Sequence, residues 1–149
     1  MQIYNRQLGE VEVLPQDVYA FEEGLPGFET LQKFALLPFA GSPYFHWLLS
    51  LEDSNVGFLT VDPFPFFPGY HVDLGEELLQ KLKITDRRQV AVYNILTVPE
   101  SVALTTANLA GPLVFNLQHK LAKQVILDNS KYHTKHQLFT TRQAASESR

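Results

Sequence analysis

Phe21-Glu22-Glu23-Gly24-Leu25-Pro26-Gly27-Phe28-Glu29 packs two glycines, a proline and three large apolar side chains into nine residues. Proline fixes φ and has no N–H to donate, while glycine enters the left-handed region without steric cost. Leu25-Pro26-Gly27 therefore reads as a tight turn, type II with Pro26 second and Gly27 third. Phe21 and Phe28 flank the turn and are expected to fold inward as a clamp. Such a hydrophobic corner joins two strands, and the flanking chain tells what those strands build.

On the N-terminal side, residues 3–8 and 11–14 alternate apolar and polar side chains around Gly9-Glu10, which predicts a first hairpin. Residues 18–21 then lead into the corner. Beyond it, residues 30–33 are expected to form one helical turn and residues 34–37 a strand. Residues 45–51 and 56–61 are apolar at nearly every position and read as two central strands. Glu52-Asp53-Ser54-Asn55, rich in side-chain acceptors, turns between them.

Asp62-Pro63-Phe64-Pro65-Phe66-Phe67-Pro68-Gly69-Tyr70 follows. Its three prolines exclude a regular ladder strand, and its four aromatics exclude a solvated linker. The loop lies against the body, capping one end of a barrel, or against a partner. Rigid aromatic loops suit the second role because they lose little entropy on binding. A helix is expected next, with Asp73 at its N-cap and Glu76 three residues on as in a capping box. Leu74, Leu78, Leu79 and Leu82 give it one apolar stripe, and Asp73, Glu76 and Glu77 load acid where the helix dipole favours it.

Residues 89–98 form the longest predicted strand, stopped by Pro99. Residues 102–105 run back, and residues 106–112 make a second punctuated corner. Residues 113–117 and 124–127 read as a final hairpin around 119–123. Past Tyr132 the pattern decays. Residues 1–140 are expected to be one domain, and 141–149 a disordered tail. The fold class is mainly β: a compact single-domain antiparallel β-barrel-like fold with one or two short helices.

The 149 residues include no cysteine, which excludes a disulfide scaffold, a thiolate zinc site and a cysteine nucleophile. No apolar run reaches the length of a membrane span and the start lacks a signal-peptide pattern, so a soluble cytoplasmic protein is expected. The net charge is −4, unevenly spread. Residues 1–100 carry six basic and fourteen acidic side chains, residues 101–149 six basic and two acidic. Two faces of opposite potential are expected, the acidic one suited to a basic protein.

No catalytic signature is present. Gly24-Leu25-Pro26-Gly27 has the wrong spacing for a phosphate loop, and no Gly-x-Ser-x-Gly elbow occurs. His133 and His136 would share a helical face, yet with Lys135 between them they read as a solvated cluster; no metal and no cofactor is expected. Lys120, Lys123, Lys131 and Lys135 around Tyr132 leave a nucleic-acid-binding barrel as an alternative. A barrel that binds a small ligand in a concave pocket is another.

Several segments taken together resemble the FliW flagellar assembly factors. They are residues 24–29, 47–51, Phe58 with 61–63, 68–70, 106–116, 124–127 and Tyr132, in the family's order over about residues 3–135. Gly24, Pro26, Gly27, Phe28, Asn108, Pro112, Asn116, Gln124 and Tyr132 carry its motifs as structural positions. Leu49 departs from it, where a polar residue such as Gln is expected, and so does Gly69, where Asp is common. The resemblance implies a cytoplasmic, non-enzymatic, chaperone-like protein, monomeric when free. It would bind flagellin before export and antagonise the translational repressor CsrA, with no direct nucleic-acid or membrane contact. On that basis Asp53, Asn55, Asp62, Asp73, Glu76 and Glu77 are expected to face basic CsrA. Phe64, Phe66, Phe67 and Tyr70 are expected to be exposed and to hold flagellin.

Overall fold

The computed structural model describes residues 1–128 and 131–139; the predicted tail lies outside them. The period-two alternation of the apolar runs builds eleven strands: β1 (Gln2–Asn5), β2 (Gly9–Glu12), β3 (Val18–Ala20), β4 (Lys33–Pro38), β5 (Phe45–Ser50), β6 (Gly57–Val61), β7 (Val90–Thr97), β8 (Thr106–Ala107), β9 (Leu113–Asn116), β10 (Leu121–Gln124) and β11 (His136–Gln137). Among the described residues the one α-helix, α1 (Glu76–Lys81), lies between β6 and β7, followed by a short 3-10 turn at Arg87–Gln89.

Strands β3, β4, β5, β6, β7, β9 and β10 hydrogen-bond in a ring, because β7 pairs with β9 as well as with β6. The mainly β barrel expected from the sequence is thus a closed one. Closure pairs the strand edges of the sheet, save on the β6 side of β7 ahead of Asn94, where the pairing of β6 with β7 stops. Every junction is antiparallel except one: β10 meets β3 in parallel, with Leu121 opposite Ala20. Strands β8 and β11 extend the sheet beyond the far end of β7. The hairpin β1–β2 stands apart and is tied to the β5–β6 turn by a 2.8 Å bond from Arg6 N to Ser54 O.

Alternation sends one set of side chains inward and the other onto the outer wall. Tyr19, Phe21, Phe34, Leu36, Leu48, Leu113 and Phe115 fill the barrel. Phe21 is fully buried, its ring edge-on to Phe34 and Phe115 with centroids 5.2 and 5.8 Å away. Such ring pairs add about 0.5–1.5 kcal/mol each to the burial itself. The outward residues Val61 and Leu96 gather a second cluster with Tyr70, Ala107, Leu109 and Leu138, against which Phe66 and Phe67 pack. Outward Val114 gathers a third with Leu78 and Leu82 of the helical segment. Residues 62–82 therefore plate the outside of the barrel wall, and the 62–70 loop lies against the body along that wall rather than over a barrel end.

The opening corner forms the expected turn. Phe28 N donates to Leu25 O at 2.7 Å, and Gly27 has φ +85°, the value for the third position of a type II turn. The clamp is one-sided: Phe21 is in the core, whereas Phe28 stays exposed and rests edge-on against Phe58. Other expectations are corrected. Residues 30–32 form no helical turn, and Lys33 already begins β4. Residues Val102–Leu104 are a 3-10 turn rather than a strand, with Val102 and Leu104 exposed. The last barrel strand is β10 at Leu121–Gln124, not 124–127, because Lys120 takes φ +57° and closes the turn at once, its N–H bonded to Asn116 O. Asp73 does not cap α1; Gly75 occupies the N-cap, and the Asp73 carboxylate pairs with His71 at 2.7 Å. A capping box does occur at Asp86, which accepts from Arg88 N while Gln89 Oε1 accepts from Asp86 N.

Candidate partner-binding site

The aromatic loop is anchored through Tyr70. Its hydroxyl donates to Leu109 O at 2.7 Å and accepts from Asn94 Nδ2 at 3.1 Å. Asn94 Nδ2 also donates to Asn108 O at 2.8 Å. Burial pushes the Tyr70 hydroxyl up to about 12, so it stays a neutral donor at any physiological pH. Tyr132 lies edge-on to it, centroids 4.9 Å apart. Tyr70 is thus buried, 6% exposed, and is not the exposed contact expected of it. Phe66 and Phe67 are half-buried, Phe66 among Tyr44, Phe45 and Phe139, Phe67 beside His136. Phe64 alone of the four is exposed, at 44%.

The acidic residues divide into two groups. The β5–β6 hairpin sets Leu49 opposite Gly57 at one end and Phe45 opposite Val61 at the other. Asp53 and Asn55 sit in the turn beyond Gly57, Asp62 beyond Val61. Four residue steps, roughly 13 Å, separate the two hairpin ends, so one surface spanning all six acidic and amide residues is not formed. Asp53 and Asn55 have local work instead: Asp53 Oδ1 accepts from Asn55 N, and Asn55 Oδ1 accepts from Arg6 Nη1. Asp73, Glu76 and Glu77 are exposed together on the segment plated over the wall. The acidic and basic parts of the chain meet at one point, the Glu23–Lys123 pair. Glu23 pairs with both Lys123 and Lys81, because β3 and β10 are neighbours and α1 packs alongside. The hydrogen bond from Lys123 holds the Glu23 carboxyl below the usual carboxylate range.

The motif residues of the sequence meet elsewhere. Pro26, Phe28, Asn108 and Gln124 converge with Phe58 and Ile126 around an open cleft. Asn108 Oδ1 accepts from Gly111 N, and Gln124 Nε2 donates to Gly111 O. Asn116 is buried; its Nδ2 donates to Leu82 O and Lys83 O, and its Oδ1 accepts from Gln118 N and His119 N. It joins the end of the helical segment to the β9–β10 turn. Leu49, where the family pattern suggested a polar residue, is buried against Gly57.

Along the aromatic loop lies an open groove of about 480 Å³, between residues 62–74 and the first half of β7. Asp62, Phe64, His71, Leu74, Arg87 and Val92 are among its lining residues. Arg87 and Val92 were not singled out from sequence; the signal was the proline spacing opposite them. His133 and His136 stack at 3.9 Å with His136 Nε2 accepting from His133 N, which occupies that nitrogen. Among the described residues no three His, Asp or Glu side chains gather as for a metal, and no helix is long and apolar enough to cross a membrane.

The family model described as FliW protein matches residues 2–138. A flagellar assembly factor FliW of Moorella thermoacetica is 43% identical over 140 residues, 93% of this chain and 89% of that protein. One from Geobacillus thermodenitrificans is 42% identical over 139 residues, 93% and 96% of the two chains. A crystal structure of the flagellar assembly factor FliW superposes with a TM-score of 0.88 at 40% identity, covering 95% of this chain and 99% of that one.

Proposed function

Because the chain belongs to the FliW family of flagellar assembly factors, we propose that it works in the cytoplasm as a non-enzymatic binding protein with two partners, flagellin and the translational repressor CsrA. It binds flagellin before export. Binding CsrA lifts its block on flagellin synthesis, so free flagellin, by competing, returns the repressor to its message. The observation that carries the reading is the match in sequence and fold, over 93–95% of this chain, to proteins of that name.

The acidic segment supports a CsrA contact: Asp73, Glu76 and Glu77 stand exposed and close in sequence, and a basic partner gains association rate and register from such a patch. Lys81 lies 3.6 Å from Glu77 and only partly offsets it. For flagellin, Phe64 offers an exposed ring on a loop whose other aromatics are already fixed, so its ordering cost on binding is small. Calorimetric titration with purified partners tests both. The double substitution Glu76→Lys, Glu77→Lys should weaken CsrA binding by at least about tenfold, equivalent to 1.4 kcal/mol, while the fold is kept and stability drops by only about 1–2 kcal/mol from cations at the helix start. Phe64→Ser should do the same to flagellin binding. Unchanged affinities in these variants would remove the assigned surfaces, and no binding of either partner by the native protein would remove the function.

A further inference from the structure

The register between β6 and β7 stops short. Thr60 lies opposite Ile95 and Val61 opposite Asn94, and pairing ends there, although β7 begins at Val90. Continuing the register places Pro63 opposite Val92 and Pro65 opposite Val90. In an antiparallel pair, successive residues of a strand point their N–H and C=O groups to opposite sides. Gln89 O accepts from Leu117 N and Ile95 O from Asn108 N, both on the β9 side. The odd-numbered residues of β7 therefore bond toward β9, and Val90, Val92 and Asn94 face β6. The two prolines fall where donors to Val92 O and Val90 O are needed, and proline has none. Val90 N donates to Arg87 O. By this parity Val92 N–H, Val92 C=O and Val90 C=O point away from β9 with no ladder partner, and among the described residues no loop or turn backbone bond reaches them.

These three groups border the groove, and the groove is polarised along the strand. Asp62 sits at the Asn94 end; its carboxylate accepts only a 3.2 Å bond from Phe64 N and forms no ion pair among the described residues. Arg87 sits at the Val90 end, also outside any ion pair there. Phe64, Val72 and Leu74 supply apolar walls. We infer that the groove is a strand-addition site: an extended segment of another protein lies beside Val90–Val92, antiparallel to β7, in the path that Pro63 and Pro65 prevent β6 from taking. Main-chain bonds to Val92 and Val90 hold it, as in other cases of strand addition. Charge sets its direction, with a cationic side chain toward Asp62 and an anionic one about four residues later toward Arg87. This recognition is independent of the identity of the partners named above, and its test uses a synthetic probe.

The probe is acetyl-Lys-Val-Thr-Val-Glu-amide, titrated into the full-length protein and followed by amide NMR and hydrogen exchange. At saturation, exchange of the Val92 amide should slow at least tenfold, while those of Ala91 and Tyr93, already bonded to β9, stay as they were. The reversed peptide, acetyl-Glu-Val-Thr-Val-Lys-amide, should bind at least fivefold more weakly. Asp62→Asn, which keeps the acceptor for Phe64 N, should weaken the first peptide about as much. Absence of binding, an unprotected Val92 amide, equal affinity for the two peptide orders, or an Asp62→Asn affinity equal to the native one would overturn the proposal.

Discussion

Replacing Gly24 by alanine tests how closely the backbone folds on itself at the corner. Gly24 has φ +63°, and a Cβ there would stand 2.7 Å from Glu29 Cα, Glu29 O and Phe28 O. All three are backbone atoms, so no side chain can swing aside. Gly27, three residues on, has φ +85° but nothing within 4 Å of its would-be Cβ. Gly27→Ala therefore carries only the dihedral cost, about 1–2 kcal/mol. Gly24→Ala carries that cost plus displacement of the 28–29 backbone, about 3–5 kcal/mol in all. At about 3 °C per kcal/mol for a chain of this size, the melting temperature should fall roughly 3–6 °C in the first case and about 10 °C or more in the second. Urea unfolding followed by the single tryptophan, Trp47, packed 5.8 Å from Phe39, reads the difference as a midpoint shift at constant slope. Equal losses in the two variants would refute the steric reasoning, because the dihedral alone would then account for both.

Tyr70→Phe removes the hydroxyl that bridges Leu109 O and Asn94 Nδ2 and should cost about 1–3 kcal/mol, measured by the same unfolding curves; a neutral result would deny the network any role in seating the loop. Asn116→Ala strips hydrogen bonds from Leu82 O, Lys83 O, Gln118 N and His119 N, and should destabilise by about 2–4 kcal/mol, with Asn116→Asp recovering only the acceptor half. His46 faces Tyr93, its Nδ1 buried without a hydrogen-bond partner among the described residues, and burial depresses its pKa against a smaller opposing pull from Asp62. The unfolded chain then takes up the proton first. Stability is fully present above the ordinary histidine value of 6.5 and is lost as pH falls through that value toward the folded one. Melting temperatures between pH 7.5 and 5 should fall less steeply in His46→Gln; parallel profiles would exclude His46 as the titrating group.

Features fixed by neighbouring residues were legible in the sequence. Leu25-Pro26-Gly27 contains its own turn, and the runs behind β5, β6 and β7 are long enough to read as strands. Features decided by distant residues were not. Asp73 resembled an N-cap until His71 offered it a partner two residues away. The apolar Val102 and Leu104 resembled a strand, yet no neighbour in the sheet takes them up. The β9–β10 turn depends on a lysine in the left-handed region, for which composition gives no sign. Asp53 and Asp62 are near in sequence, but β6 lies between them and carries them to opposite ends of the β5–β6 hairpin. Asn94 and Asn116 left a usable signal, each a lone amide within an otherwise apolar strand, as did the alternation of Pro63 and Pro65.

The parallel junction between β3 and β10 has a kinetic meaning. It rests on one register pair, Ala20 with Leu121, and on the bond from Ala20 N to Lys120 O at 2.9 Å. The β3–β4–β5–β6 meander and the β9–β10 hairpin each pair strands close along the chain and can assemble early. The ring is completed only when positions 20 and 121 meet, a long-range closure that is slow because its loop entropy comes due before its contacts do. This clasp should shut last during folding and spring first during thermal fluctuation, so the Ala20 amide should exchange faster than those of Phe34 and Leu48. Glu23, gripped by Lys123 and Lys81 beside the clasp, gives it an ionic latch that added salt would loosen.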